Sequence, residues 1–372
     1  MRRIKWIAAI IVCVSVVLAG CGTKDAESVV KDLGKVVSSM ESYKGSGTMT
    51  LHTGQQPLKY DVEVWYQKPQ YYRIALTNTQ KDITQIVLRN EDGVFVLTPR
   101  LNKSFRFQSD WPENQGQVYL YQTLVQSILL DNSRQFVIDK DAYVFDVMAN
   151  YQNGSLARQK IWLSKEDYTP RQVQVSDTNA AVMVEVQFDQ FEFGAKFEEG
   201  AFDMQRNMGA PGEDKSAMTT PDEEAEGVQE DDPAAEGAEE QEEGEAEDTA
   251  GEPAEEAAAQ DDEIVMEPGY YPEGVAMKDY SDITFKGNKG VMMRFTGTYD
   301  YTLIQTRPND QAAAAVPGYI VGLGHTVGLM SGEELRTLTW TYEGIEYRLS
   351  SSTLPEDEMI KVAQSVQNEM SK

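Results

Sequence analysis

Between Pro211 and Glu263 the chain carries 23 acidic side chains and one basic one, and from Met204 to Glu263 it has no aromatic residue. Such a stretch offers little apolar surface to offset the entropy of ordering it, and its like charges repel. It cannot be core, so it divides a chain of 372 residues into two flanking units. The segment carries −22 of a formal net charge of −28, which leaves −6 for everything else. A balance this acidic argues against the basic face that a phosphate backbone needs, and no nucleic acid is expected as a partner. A solvated, self-repelling spacer accounts for residues 206–263 more simply than an acidic ligand or a cation sponge does.

The N-terminus reads as an address. Met1-Arg-Arg-Ile-Lys-Trp6 is a basic head, and the apolar run Ile7–Leu18 is shorter than the about 20 residues a membrane span needs. That length suits the core of a signal peptide spanning residues 1–20. The run ends in Leu18-Ala19-Gly20-Cys21, which resembles a lipobox. On that resemblance Cys21 becomes the new N-terminus, its sulfur carries diacylglycerol, and residues 21–24 tether the protein to the extracytoplasmic face of the cell membrane. Of the two cysteines, Cys13 leaves with the leader and Cys21 is acylated. No thiol is then left for a disulfide, a zinc site or a nucleophile.

After the tether the hydrophobic period is first helical. Val29, Val30, Leu33, Val36, Val37 and Met40 recur at three- and four-residue spacing. From residue 44 to about residue 203 the period becomes two. Leu58–Tyr66 alternates so that Tyr60, Val62, Val64 and Tyr66 share one face. Further strands are predicted at Tyr71–Thr77, Ile83–Arg89, Val94–Thr98, Ser104–Gln108, Phe136–Ile138, Tyr143–Tyr151, Ala157–Leu163, Pro170–Ser176 and Ala181–Phe191. Glu91-Asp92-Gly93 and Asn153-Gly154 supply hairpin turns. One helical pattern, Gln117–Leu130, interrupts them. Residues 264–372 form a smaller unit of short strands and one closing helix, for which Thr353 and Glu356 offer a capping box and Pro355 a first-turn proline. The fold class is mainly β (α+β): a large antiparallel sheet with covering helices, then a small α+β domain.

No catalytic constellation emerges. The only histidines, His52 and His325, fall in different units and read as surface residues. Gly322–Gly328 superficially suggests a phosphate loop or a nucleophile elbow. The next residues, Leu329-Met-Ser-Gly332, read as another turn rather than a helix, so these glycines read as tight strand connections. No metal ligands, cofactor or catalytic residues are assigned, and the protein is read as a non-enzyme.

Several segments resemble the LolA/LolB lipoprotein-carrier superfamily. They are the helix and strand of Asp25–Met49, the corner Val64-Trp-Tyr-Gln-Lys-Pro-Gln-Tyr-Tyr-Arg73, Asp92–Pro99, Ile161–Leu163 through Thr169-Pro-Arg171, and the Phe191–Phe202 stretch. The resemblance covers residues 25–205. It implies a curved antiparallel half-barrel whose concave apolar face is covered by helices and can hold acyl chains. Carriers of this type have an arginine before the corner proline, where this chain has Lys68, and they are soluble rather than anchored. With the lipobox and the segments Tyr271–Val275, Leu338–Tyr347 and Leu354–Glu358, the whole resembles the YdcC- and GerS-type sporulation and germination lipoproteins of Gram-positive bacteria. That resemblance implies docking of an exported cell-wall enzyme.

Two expectations therefore stand. One is a membrane-anchored docking or scaffold protein of the cell envelope. The other is a module that binds a lipid or acyl chain on the concave apolar face, with Tyr60, Val62, Val64, Tyr66, Trp65 and Lys68 as candidate residues. They differ in whether that apolar face is filled or open.

Overall fold

Asp25 opens the first helix, α1 (Ala26–Ser39), by accepting a hydrogen bond from the Ser28 backbone N–H at 2.9 Å. The computed structural model describes residues 24–52, 56–107, 117–149, 156–209, 266–308, 312–314 and 318–366. The signal segment, Cys21, most of the acidic spacer and the Asn153-Gly154 turn lie outside them. Val29 and Leu33 are the buried residues of α1, and they lie one turn apart on one side of the helix.

Among the described residues the first unit contributes eleven strands: β1 (Ser42–Leu51), β2 (Leu58–Gln67), β3 (Tyr71–Asn78), β4 (Ile83–Asn90), β5 (Gly93–Thr98), β6 (Lys103–Phe107), β7 (Gln135–Ile138), β8 (Ala142–Met148), β9 (Leu156–Ser164), β10 (Pro170–Asp177) and β11 (Val182–Phe193). Between β6 and β7 runs α2 (Tyr121–Leu130). It begins four residues later than the periodicity predicts, because Gln117–Leu120 closes as a turn with the Leu120 N–H donating to the Gln117 carbonyl. β1 lies centrally, paired with β2 on one side and β11 on the other. The register slips at Ser46/Gly47, and a Cβ at Gly47 would overlap the Gln187 carbonyl oxygen of β11. The Glu91–Asp92 turn joins β4 to β5 as expected, with Gly93 at φ +130°.

The second unit contributes β12 (Val275–Phe285), β13 (Asn288–Gly297), β14 (Tyr301–Thr306), β16 (Tyr319–Gly322), β17 (Val327–Ser331), β18 (Arg336–Tyr342) and β19 (Ile345–Ser351), ordered β12-β13-β14-β19-β18-β17-β16 in one antiparallel sheet. Its short strand β15 (Ala312–Ala314) leaves that sheet and pairs in parallel with β6, so the large sheet has twelve strands. The closing helix, α4 (Glu356–Ser365), buries Met359, Ile360, Val362 and Ala363 against its own sheet. The capping box does not form. Thr353 instead bonds Asp300 through its hydroxyl, and the helix start carries Glu356, Asp357 and Glu358 opposite the positive end of its dipole.

Among the described residues, hydrophobic burial falls into three clusters. The largest lines the inner face of the twelve-stranded sheet with residues of α1 and α2. The second lies between the smaller sheet and α4. The third covers the outer face of β3–β5, where Ala75, Ile86, Leu88, Phe95 and Leu97 pack under Phe202, Met204 and Met208. The short helix α3 (Met204–Met208), capped by Asp203, therefore extends ordered packing into a stretch that composition alone reads as spacer. The half-barrel with covering helices and the small C-terminal α+β unit are both present.

Two glycines should respond oppositely to alanine. Gly47→Ala forces a Cβ into backbone and should lower stability by about 2 kcal/mol or more. A Cβ at Gly34, inside α1, meets nothing within 4 Å, so Gly34→Ala should raise stability by about 0.5–1 kcal/mol. Urea midpoints of the two variants check both signs.

Candidate functional site

The alternation of β2 places its side chains as predicted. Tyr60, Val62, Val64 and Tyr66 point to the inner face and are 2%, 3%, 0% and 7% exposed. Tyr66 packs on Tyr43 and Tyr72, with ring centroids 5.3 and 4.9 Å apart. Around them α1 supplies Val29 and Leu33, and α2 supplies Tyr121, Leu124, Val125 and Ile128.

Helices do not complete the cover. Ile320, Val327 and Leu329, from β16 and β17 of the C-terminal sheet, belong to the same buried cluster as the β2 residues. The hairpin carrying them turns at Leu323–Thr326, and a side chain at Gly324 would touch Leu51 of β1. Here the open apolar face left possible by the sequence is closed by the chain's own second unit.

A buried polar seam borders the contact. The Tyr342 and Tyr60 hydroxyls share a hydrogen bond at 3.2 Å, and Asn78 Nδ2 donates to the Tyr342 hydroxyl at 3.3 Å. Gln85 Nε2 donates to the Thr341 carbonyl at 2.8 Å. Lys81 pairs with Glu343 at 2.9 Å, and Lys103 donates to the Pro308 carbonyl. Glu343 and Gly344 have φ values of +50° and +78°, a two-residue hairpin turn of the type whose twist suits antiparallel strands. That turn presents Glu343 to Lys81.

His325 is not a surface residue. It is 1% exposed, its ring stands edge-on to Tyr342 at 4.8 Å, and its Nδ1 lies 3.1 Å from the Leu323 carbonyl. Burial pushes its pKa down to about 3, and the Leu323 carbonyl opposes the shift only in part. Burial likewise raises the Tyr342 phenol well above its ordinary value, with Tyr60 and Glu343 adding to the shift. Both rings stay neutral at physiological pH.

Trp65 and Lys68 stand apart from the inner face. Alternation turns Trp65 outward, where it lies between cations on neighbouring strands. The Arg73 guanidinium is 4.3 Å and the Lys44 ammonium 5.1 Å from its ring. Phe197 stacks on Trp65 and Phe202 meets it edge-on, so the chain after β11 covers it. Lys68 precedes Pro69 at the corner through a cis bond and pairs with Glu41 at 2.7 Å. It joins the end of α1 to the corner, and an ion pair this exposed contributes only about 0–1 kcal/mol.

Sequence reasoning missed the C-terminal residues of the seam. A signal was available in Tyr319-Ile-Val321 and Val327-Gly-Leu-Met330, which are apolar at consecutive positions and so require burial on both faces of their strands. The Gly322–Gly328 stretch is the tight strand connection expected. His52 is exposed after β1. Among the described residues no three His, Cys, Asp or Glu side chains converge to hold a metal ion, and no helix is long and apolar enough to cross a membrane.

The inner seam defines a pH-dependence with a fixed sign. The unfolded chain protonates His325 below about 6.5 while the folded chain resists until about 3. Stability is therefore full above the upper value and falls as pH drops below it, by about 2 kcal/mol between pH 7 and pH 5. His325→Phe should flatten that slope in urea titrations; an unchanged slope would contradict the assignment.

Known proteins match the chain in the same two parts. Residues 1–202 match the family model described as sporulation protein YdcC-like, and residues 265–366 match a domain of unknown function, DUF4367. The protein described as sporulation protein YdcC from Bacillus subtilis (strain 168) is 37% identical over 360 residues, 96% of this chain and 94% of its own. Among solved structures, the Pseudomonas aeruginosa MucA/MucB complex is similar at 12% identity and a TM-score of 0.33, covering 92% of this chain and 98% of that one. The complex of the CwlD amidase from Clostridioides difficile with the GerS lipoprotein is similar at 17% identity and a TM-score of 0.27, covering 46% of this chain and 97% of that one. By the match over residues 1–202 and the full-length likeness to its Bacillus subtilis relative, the chain belongs to the sporulation protein YdcC-like family.

Proposed function

We propose that this protein is a non-enzymatic docking protein of the sporulating cell envelope, held on the extracytoplasmic face of the membrane by diacylglycerol on Cys21. Its partner in this reading is another exported protein, a cell-wall enzyme by class. One observation carries the choice of docking over lipid capture. The inner apolar face, the place for an acyl chain, is filled by Ile320, Val327 and Leu329 of the same chain. What such a molecule offers to others is its outer surface.

Family membership supports the sporulation setting. Support for the anchor comes from the basic head, the short apolar core and Leu18-Ala-Gly-Cys21.

Two measurements test the reading. Native mass spectrometry of the mature chain with Cys21→Ala, after incubation with phospholipid, should give the bare protein mass; a bound acyl species would transfer the assignment to lipid binding. Membrane fractionation of the Cys21→Ala variant should place it in the soluble exported fraction, and retention in the membrane fraction would refute the anchor. Replacing Val62 or Val64 with arginine is uninformative about ligands, since burial of a charge at 3% and 0% exposure unfolds the domain.

A further inference from the structure

Four of the large apolar side chains exposed on the molecule lie between residues 130 and 148: Leu130 at 62%, Val137 at 61%, Met148 at 54% and Ile138 at 38%. Leu130 ends α2, Val137 and Ile138 belong to β7, and the Met148 N–H donates to Asp131, the residue after Leu130, at 2.7 Å. β7 closes one edge of the twelve-stranded sheet, and among the described residues its strand partner is β8 alone. Its apolar side chains point to both sides of the sheet by alternation, so together they form an apolar rim rather than a groove.

The rim lies beside Lys24, the first of the described residues. Lys24 is held by the Asp32 carboxylate and the Tyr168 hydroxyl, each at 2.7 Å, with its ammonium 5.3 Å from the Tyr168 ring. Tyr168 stacks on Tyr143 at 6.0 Å, and Tyr143 is the cross-strand partner of Ile138. Glu27, in the first turn of α1, pairs with Arg134 at 3.1 Å, one residue before β7. Cys21 is three residues before Lys24, and fully extended chain of that length spans about 10–11 Å. A Cys21 inserted in lipid thus holds Lys24 within about 10 Å of the headgroups, and the β7 edge follows from Lys24 through the Tyr168 and Tyr143 rings.

We infer that the β7 rim, with Leu130, Val137, Ile138 and Met148, rests in the headgroup layer of the bilayer that Cys21 enters. The inference depends on the acyl anchor proposed above. Short edge strands that expose apolar side chains invite pairing with another strand, and a lipid surface at this distance removes that hazard while burying the rim on both sides. The adjoining turn, Asp139-Lys140-Asp141, is acidic, so contact with lipid is apolar rather than electrostatic.

The test places a cysteine-reactive fluorophore at Leu130→Cys or Val137→Cys in the acylated full chain, bound to phosphatidylethanolamine–phosphatidylglycerol vesicles. Leu335→Cys, on an exposed residue of the C-terminal unit, serves as comparison. Labels at 130 and 137 should lose quenching by aqueous iodide and gain quenching by doxyl-labelled lipid, while the label at 335 should do neither. Full iodide access at 130 and 137 on vesicle-bound protein would overturn the inference and leave the anchor standing. Failure of the acylated chain to stay on vesicles would overturn both. Iodide shielding at 137 in the Cys21→Ala form without vesicles would assign the rim to a second copy of the chain and refute its seating in lipid.

Discussion

A curved sheet with an apolar inner face must cover that face, and the rest of this structure depends on how the covering is done. Two helices are too few for a sheet of this breadth. The remaining area is closed by a second sheet whose β16 and β17 are apolar on both sides, one side facing α4 and the other facing the half-barrel. Apolar burial supplies the bulk of the stabilisation, while the seam of Tyr60, Asn78, Lys81 and Gln85 against Thr341, Tyr342 and Glu343 fixes the register of the contact. Polar groups buried in such a seam contribute little net energy when satisfied, yet exclude alternative placements that would strand them.

Local patterns told most of the fold. Period-two alternation located nearly every strand because each has one inner and one outer face, and β7 (Gln135–Ile138) was legible to within one residue. The helix α1 was legible from the three- and four-residue spacing of Val29, Leu33 and their neighbours, while its cap at Asp25 emerged only in the structure. Less legible were features set by distant neighbours. Thr353 carries the pattern of a helix cap, but Asp300 competes for its hydroxyl across the sheet, and tertiary contact won. Trp65 was grouped with the inner-face residues by its place at the corner, although alternation alone puts it outside. His325 reads as a turn residue because a turn is where it sits; only the half-barrel laid over that turn buries it.

The outer face shows the same division. Ala75, Ile86, Leu88, Phe95 and Leu97 sit on strands whose inner positions are also apolar, so β3–β5 require cover on both sides. The chain after β11 provides it with Phe202, Met204 and Met208 before composition turns acidic. Aromatic side chains end at Phe202, and carboxylates dominate the chain from Glu213 to Glu263.

The shared cover has a consequence for dissecting this protein. β15 completes the large sheet from beyond the spacer, and Ile320, Val327 and Leu329 complete its interior. The two sheets therefore behave as one solute with respect to water, although they are far apart in sequence. A fragment ended before the spacer would strip Tyr60 of its Tyr342 partner and bare the β6 edge, and would acquire an affinity for detergent, lipid and its own copies that the intact chain lacks.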